Sequence, residues 1–176
     1  MSEEIFPVVD EQGQIVGSAR RSEVHGNPTL LHPVVHCLVV GAQGDLLLQR
    51  RSIHKDIQPG RWDTSVGGHV VFGETIEQAL FREIEEEIGL HAKSVSVRKL
   101  YQYIHRSAIE AELVHTYDCV SDGPFIRQQE EIDELRFWSS DEIRAALGSG
   151  VFTPNFEQEY ARYVSMNQRG VFNERR

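Results

Sequence analysis

Alternation of apolar and polar residues along the chain predicts a succession of short β-strands. The segment IFPVVDEQGQIVGSA, within about residues 5–20, has two apolar runs around Asp10-Glu11-Gln12-Gly13, a pattern typical of a hairpin. A second hairpin is predicted for PVVHCLVVGAQGDLLLQR, with residues 41–45 as its connection. Further strands are expected in TSVGGHV, VSVRKLYQYIH, AELVHTYDCV and ELRFWS, and an irregular loop in RSIHKDIQPGRWD.

A helical period, about 3.6 residues, appears between Thr75 and Ile88. The helix is predicted to stop at Gly89, because glycine is favoured just beyond a helix C-terminus. SDEIRAAL predicts a short helix, and TPNFEQEYARYVSM predicts a longer one near the C-terminus. This order of elements indicates a mixed sheet with helices packed against it, in the α+β class.

Length, charge and cysteine content narrow the class of protein. A chain of 176 residues fits one globular domain over residues 1–176, and its net charge of -9 argues against binding a nucleic-acid polymer. The start MSEEIFPVVD lacks the features of a signal peptide, and no apolar run reaches membrane-spanning length, so a cytoplasmic protein without membrane contact is expected. Cys37 and Cys119 lie in apolar runs without metal-site spacing and are predicted to be reduced core thiols.

The predicted helix carries four glutamates near its end, and their angular positions differ. At about 100° per residue, one side of the helix forms an apolar stripe. The stripe consists of Ile76, Leu80, Phe81, Ile84 and Ile88. Glu85 points away from it, whereas Glu87 lies about 60° and Glu83 about 100° from Ile84. Glu83 and Glu87 are therefore expected to border the buried side, and Glu85 is expected to be solvated.

This concentration of negative charge is locally unfavourable. Carboxylates in the last turn oppose the helix dipole, at about 0.3–1 kcal/mol each. Glu83 lies three and four residues from Glu86 and Glu87, where like charges repel, and Arg82 can offset part of this by pairing with Glu86. Two interpretations remain open for the helix alone. One is a solvated charged surface; the other is a divalent-cation site, because clustered carboxylates offer the oxygen ligands that Mg²⁺ and Mn²⁺ prefer.

The residues before the helix favour the cation site. Gly67 and Gly68 have no side chains, so a substrate or another backbone segment can approach them closely. From Gly68 to Leu90 the sequence matches G-x5-E-x7-R-E-U-x-E-E-x-G-U, with U apolar, at every specified position. Residues 68–90 thus resemble the Nudix box of the Nudix hydrolases, and the likeness covers roughly residues 5–165. It implies a Nudix-like α/β/α sandwich with a mixed β-sheet.

The resemblance to Nudix hydrolases also implies a reaction and its residues. These enzymes hydrolyse a diphosphate bond in a small molecule, a nucleoside diphosphate or one linked to another group, with Mg²⁺ or Mn²⁺. The implied metal ligands are Glu83, Glu86 and Glu87. Arg82 would hold Glu86 in place, and Glu74 would support the loop before the helix. The general base is left open between Glu83, Glu87 and a glutamate outside the box. Homodimers are common among such enzymes, so a homodimer is a further expectation.

Basic residues flank the loop that precedes the box. They are Arg50, Arg51, Lys55 and Arg61. Guanidinium and ammonium groups bind phosphate oxygens well, so these residues are candidates for contacts with the diphosphate. The alternative for each of them is a surface charge that aids solubility. Trp62 is either a stacking platform for the substrate or, more in keeping with its position, an anchor for the loop.

A second resemblance involves histidines outside the box. The segments HGNPTLLHPVVH and DIQPGRWDTSVGGHV are similar to the isopentenyl-diphosphate isomerase branch of the Nudix superfamily. Type I isomerases bind a divalent metal through three histidines and two glutamates. The matching positions here are His25, His32, His69, Glu110 and Glu112. Imidazole combined with carboxylate suits Zn²⁺, Mn²⁺ or Fe²⁺. The resemblance therefore implies a second metal site or its remnant.

Gly67 separates the chain from the isomerases. Their active site has a cysteine at this position, and neither Cys37 nor Cys119 is near it in sequence. Isomerases also have a degraded Nudix box, whereas every specified position is present here. Both departures favour hydrolysis over isomerisation. A non-catalytic nucleotide-binding sensor is a further alternative, but such sensors usually lose box glutamates.

Overall fold

The computed structural model describes residues 3–55 and 57–168 of the chain. The strands are β1 (Ile5–Val9), β2 (Ile15–Arg20), β3 (Leu31–Val40), β4 (Leu46–Arg51), β5 (Trp62–Asp63), β6 (Val66–His69), β7 (Arg98–Arg106), β8 (Ala111–Val120) and β9 (Ile132–Trp138). The helices are α1 (Arg21–Val24), α2 (Ile76–Ile88), α3 (Ser140–Ala146) and α4 (Pro154–Gln168). A 3-10 turn covers Ala92–Ser94.

β3 is the central strand of the larger sheet. It pairs in parallel with β8 along its whole length, and β7 continues the sheet antiparallel to β8. The other edge of β3 is shared, because β6 pairs with residues 34–37 and β4 pairs with residues 39–40. β4 also pairs antiparallel with both β5 and β9. The sheet is therefore mixed, as predicted, and it divides where β6 and β4 separate.

Alternating side chains of β3 point into two different cores. Val35, Cys37 and Val39 pack with the apolar side of α2. Leu38 and Val40 pack on the opposite face, in a core that includes Ile143 of α3 and Phe156 and Tyr160 of α4. A strand buried on both faces reads as a continuous apolar run, which is the pattern of this segment. Helices thus cover both faces of the sheet, in the predicted α/β/α arrangement.

The N-terminal hairpin forms as predicted and packs on the start of β3. β1 pairs antiparallel with β2, and Asp10 accepts backbone hydrogen bonds from Gln12 and Gln14 in the turn. Phe6 is fully buried, and its ring stacks on His69 at a centroid distance of 4.6 Å. The hairpin thus covers one side of a histidine cluster that is described below.

The two cysteines are buried and reduced, with no disulfide between them, as the sequence predicts. Cys37 on β3 and Cys119 on β8 lie on adjacent strands, with their sulfurs 3.8 Å apart. The hydrogen bond with Cys119, together with burial, raises the pKa of the Cys37 thiol. Both side chains therefore act as small apolar core residues.

The sequence-based strand and helix assignments miss two short elements. α1 follows β2 directly, and β5 interrupts the segment that is predicted to be an irregular loop. Both are too short to show a period of their own, which explains why the pattern does not reveal them. Within the described residues, no helix is long and apolar enough to cross a membrane.

Candidate active site

α2 begins and ends at the residues that the sequence marks. The Thr75 side chain accepts a hydrogen bond from the backbone of Gln78, whose side chain accepts one from the backbone of Thr75, so a capping box starts the helix. Gly89 closes it with a φ of 72°, a left-handed conformation that favours glycine. Glu85 is exposed, as predicted, and pairs with His91.

Glu83 lies directly against Gly68. A Cβ atom added to Gly68 would overlap the Glu83 carboxylate, so only glycine permits this approach. Burial raises the pKa of Glu83 to about 7, although Arg82 acts in the opposite direction. This glycine of the box therefore makes room for a carboxylate that is held away from solvent.

Glu87 is the most deeply buried glutamate of the box. Its Oε2 accepts hydrogen bonds from the Gly67 amide and from Nε2 of Gln49, both at 2.9 Å. Burial, and next the charge of Glu83, raise the pKa of Glu87 to about 8. Two neighbouring carboxylates that both resist ionisation form a site that a cation would stabilise.

Arg82 joins the parts of the box. Its guanidinium donates to both oxygens of Glu74, at 2.7 and 3.0 Å, and to the backbone carbonyl of His69 at 3.0 Å. It also pairs with Glu83 at 2.7 Å and with Glu86 at 3.2 Å. From the sequence, Arg82 is predicted to hold Glu86 in place. The contact with Glu86 is present, and the contacts to Glu74 and to the His69 carbonyl also tie the helix to the segment before it.

Glu86 differs from the other two predicted ligands. Its side chain is 52% exposed and contacts Arg82. Within residues 3–55 and 57–168, the group of three or more ligand atoms that converges to within 4.8 Å consists of histidines, not of Glu83, Glu86 and Glu87. The three glutamates thus lie on adjacent turns of α2 with Glu83 and Glu87 facing inward and Glu86 at the rim.

The predicted phosphate-binding residues have partners within the protein. Arg51 donates to the Ile57 carbonyl at 3.1 Å and contacts Asp63. Lys55 pairs with Glu131 at 2.7 Å, and Arg50 pairs with Glu134 at 3.5 Å. Arg61 donates to the carbonyl of Phe152 at 3.4 Å. The side chains of Arg51 and Lys55 are less exposed than that of Arg50. Both residues lie at the loop that precedes the box.

Glu131 is a site residue that sequence reasoning misses. It lies in the loop before β9 and pairs with Lys55. Its charge also helps to raise the pKa of Glu83 and of Glu87, although burial is the largest cause for both. Its charge therefore acts on both box carboxylates from outside the box. No local pattern marks it, because an acidic residue in a polar loop is common in any surface segment.

The histidines of the second predicted site come together. The ligand atoms of His25, His32 and His69 all lie within 4.8 Å of one another, and the Nε2 atoms of His25 and His69 are 3.2 Å apart. Burial is the main cause that lowers the pKa of each of the three imidazoles. Converging imidazoles that stay neutral at physiological pH have the chemistry of a transition-metal site.

The two glutamates of this second set lie beside the histidines. Glu112 on β8 lies opposite His32 on β3 in the strand register. Its Oε2 is buried with no hydrogen-bond partner within the described residues. Burial, and then the charge of Glu110, raise the pKa of Glu112 to about 7. Glu110 immediately precedes the first residue of β8. Its place just outside the strand still brings its charge close to Glu112.

Comparison with known proteins agrees with this geometry. The sequence profile of the NUDIX domain matches residues 30–156. The chain belongs to the Nudix family. An isopentenyl-diphosphate Delta-isomerase of Corynebacterium diphtheriae is 34% identical over 157 residues, which are 85% of this chain and 86% of the isomerase. An uncharacterised Nudix hydrolase of Yersinia pestis is 31% identical over 160 residues, which are 91% of this chain and 85% of that protein.

A solved structure confirms the architecture. The crystal structure of DR0079 from Deinococcus radiodurans matches with a TM-score of 0.79 at 26% identity, covering 90% of this chain and 98% of that one. The α+β sandwich and its mixed sheet are therefore those of the Nudix family. Membership of the Nudix family supports hydrolase activity for this chain. Its relatives also include proteins named as isomerases.

Proposed function

We propose that this Nudix protein is a metal-dependent hydrolase that cleaves the diphosphate bond of a small molecule. The substrate is a nucleoside diphosphate or a nucleoside diphosphate linked to another group. The observation that carries this proposal is the pair of inward-facing carboxylates, Glu83 and Glu87, beside the glycine step Gly67–Gly68. Arg82 pairs with Glu83 at 2.7 Å. This arrangement supports diphosphate chemistry because it offers negative charge and an open backbone at one place.

The residues of the box fit Mg²⁺ or Mn²⁺. Carboxylate oxygens are the ligands that these hard cations prefer, and Glu83, Glu86 and Glu87 supply them. Burial raises the pKa of both Glu83 and Glu87, with the charge of Glu83 as the next cause for Glu87, and a bound cation would favour their ionised forms. When bound, such an ion neutralises phosphate oxygens and lowers the pKa of an attacking water.

The other residues have distinct roles in the proposal. Arg82 and Glu74 position the box carboxylates, and Gly68 makes room for the Glu83 carboxylate. Gly67 and Gly68 are the candidates for a close approach of the diphosphate beside that carboxylate. Arg51, Lys55, Arg50 and Arg61 are the candidates for phosphate contacts. Glu83, Glu87 and Glu131 are the candidates for the general base that takes a proton from water.

The test is phosphate release from a panel of diphosphate compounds. We expect turnover of at least one nucleoside diphosphate or nucleoside-diphosphate conjugate with Mg²⁺ or Mn²⁺, and none after chelation with EDTA. The panel includes inorganic pyrophosphate and isopentenyl diphosphate for comparison. Ligand binding with metal present but without any turnover would contradict the proposal and support the non-catalytic sensor instead.

We propose further that the histidine cluster holds a second divalent metal ion, with Glu110 and Glu112 beside it. Support comes from the convergence of His25, His32 and His69 and from the similarity to an isomerase. Gly67 stands against isomerisation, because this position offers no thiol to exchange a proton with substrate. Incorporation of deuterium into isopentenyl diphosphate in D₂O would reverse that assignment.

Removal of one imidazole is expected to empty this second site. After incubation with Zn²⁺ or Mn²⁺ and dialysis, we expect His32→Gln to retain about one metal equivalent less than the wild-type protein, since such sites need three or four ligands. Elemental analysis measures the difference. His91→Gln is the matched control, because His91 is a surface residue paired with Glu85. Equal metal content in wild type and His32→Gln would rule out the site.

A further inference from the structure

A buried carboxylate occupies the helix-covered face of the sheet opposite α2. Glu159 of α4 is fully buried and accepts hydrogen bonds from four side chains. The donors are His36 Nδ1 at 2.9 Å, Tyr103 OH at 2.8 Å, Thr116 Oγ1 at 3.1 Å and Tyr101 OH. They come from β3, β7 and β8, so a single helix residue joins three strands.

An apolar residue would fill this position without the cost of burying a charge. Burial alone would raise the pKa of Glu159, yet His36 and the two tyrosines hold it below its usual value. Burial alone would likewise lower the pKa of His36, but the bond to Glu159 outweighs this and raises it. The network thus holds the His36 ring in one orientation, with Nδ1 directed at Glu159.

The opposite edge of the His36 ring faces Gly67. A Cβ atom placed on Gly67 would lie 3.3 Å from Cδ2 and 3.5 Å from Nε2 of His36. Since Gly67 has no side chain, nothing from that residue covers the Nε2 edge, and the His36 side chain stays 11% exposed although it sits in the core of the sheet. The same glycine donates its amide to Glu87. Gly67 therefore contacts the box carboxylate through its backbone amide. On its other side it lies next to His36, in the space where other residues would have a side chain.

We propose that His36 contacts the group attached to the diphosphate, through a hydrogen bond between Nε2 and an oxygen of that group. This inference rests on the proposed hydrolase function and narrows its substrate to a hydroxylated or carbonyl-bearing moiety, such as a nucleoside. Phosphates belong on the α2 side of Gly67 with the box glutamates, which leaves the His36 side for the attached group. An apolar chain placed there would leave the imidazole nitrogen unpaired, which disfavours an isoprenoid.

Two substitutions at position 36 separate binding from structure. In His36→Asn, the side-chain amide nitrogen lies close to where Nδ1 was and keeps the bond to Glu159, but nothing replaces Nε2. In His36→Gln, the amide nitrogen reaches the Nε2 position instead. His105→Asn is the matched control, because His105 on β7 also bonds through Nδ1 to α4, at 3.1 Å from Gln158. Thermal unfolding of each variant shows whether the fold is kept.

Binding is measured by calorimetry with three probes that separate the parts of a substrate. They are α,β-methylene-ADP, the methylenediphosphonate analogue of isopentenyl diphosphate, and inorganic pyrophosphate, each with Mg²⁺. We expect the wild-type protein to prefer the adenosine compound, and His36→Asn to weaken only that compound, by about 10–100-fold, as for a lost hydrogen bond to a charged group. His36→Gln is expected to recover part of the affinity, and His105→Asn to bind as the wild type does.

The outcomes that overturn the proposal are distinct. Wild-type affinity of His36→Asn for the adenosine compound would make His36 a structural partner of Glu159 only. Equal weakening for pyrophosphate would place His36 on the diphosphate itself. Tighter wild-type binding of the isopentenyl analogue, or no binding of either organic probe, would contradict the proposal that the substrate carries a hydroxylated or carbonyl-bearing group. The first two probes resist hydrolysis, so absence of turnover, which refutes the proposed hydrolase function, leaves these measurements interpretable.

Discussion

Glu87→Gln is expected to reduce diphosphate hydrolysis by about a thousandfold or more. Glu87 is the buried box carboxylate that accepts hydrogen bonds from Gly67 and Gln49. The substitution preserves shape and, with the amide oxygen in the place of Oε2, the ability to accept both bonds, but it removes the charge that a divalent cation requires. A bound cation contributes several kcal/mol to transition-state stabilisation, and each loss of about 1.4 kcal/mol is a factor of ten in rate. Steady-state kcat/KM on the best substrate of the panel measures the effect.

Glu85→Gln is the control for Glu87→Gln. It is the same substitution two residues away on the same helix, but Glu85 is exposed. Exposed substitutions usually change free energies by less than about 0.5 kcal/mol, so activity within about twofold of wild type is expected. Comparable activity of Glu87→Gln and Glu85→Gln would show that the box is not the active site. Thermal unfolding of both variants excludes loss of folded protein as the cause.

The helical period predicts the difference between these two glutamates from sequence. The stripe assignment places Glu87 near Ile84, and the structure buries both, while Glu85 faces solvent. This part of the site is predictable because α2 is long enough to show a clear period and has recognisable residues at both ends. Strand positions were predictable for the same reason, since β3 and β8 are long and rich in β-branched residues.

The contacts of Glu159 show what the sequence does not reveal. Glu159 and His36 are 123 positions apart along the chain, and they meet because α4 packs across β3. Periodicity indicates which side of an element is buried, but not which other element covers it. His36 lies within an apolar strand without a pattern of its own, so it reads as one of several histidines of no assigned role. Glu131 is hidden for a similar reason, since a loop places it near the box.

Gly67 is the residue at which the two family resemblances diverge. The resemblance to the isomerases rests on the histidine cluster, and the resemblance to the hydrolases rests on the intact box of α2. Gly67 lies between them, next to His36 and bonded to Glu87. Absence of a thiol at this point removes a proton donor, and it also opens the space that the proposed contact with the substrate uses. In the proposed function, the same glycine both disfavours isomerisation and accommodates the group attached to the diphosphate.

Mg²⁺ is expected to stabilise the protein more at about pH 9 than at about pH 6.5, because the box carboxylates must lose their protons to bind it. The folded-state pKa values of Glu83 and Glu87 are about 7 and about 8, above the value of about 4.3 for an unfolded glutamate. Between these values the folded state holds more protons, so metal-free stability falls as pH rises through about 8. Mg²⁺ at a hundred times its Kd offsets this with about 2.7 kcal/mol, or roughly 5–10 °C in Tm.

Thermal unfolding at the two pH values, with EDTA or with MgCl₂, measures this linkage. The double variant Glu83→Gln, Glu87→Gln is the reference, and its Tm is expected to respond little to Mg²⁺ at either pH. The reference is needed because the histidine cluster changes the stability of the folded protein with pH in the opposite direction. Its lowered pKa values make the folded state less stable as pH falls through about 6.5, which the double variant retains. A Mg²⁺-induced shift in Tm that is equal at both pH values, or equal in the double variant, would show that the ion binds elsewhere than at these two carboxylates.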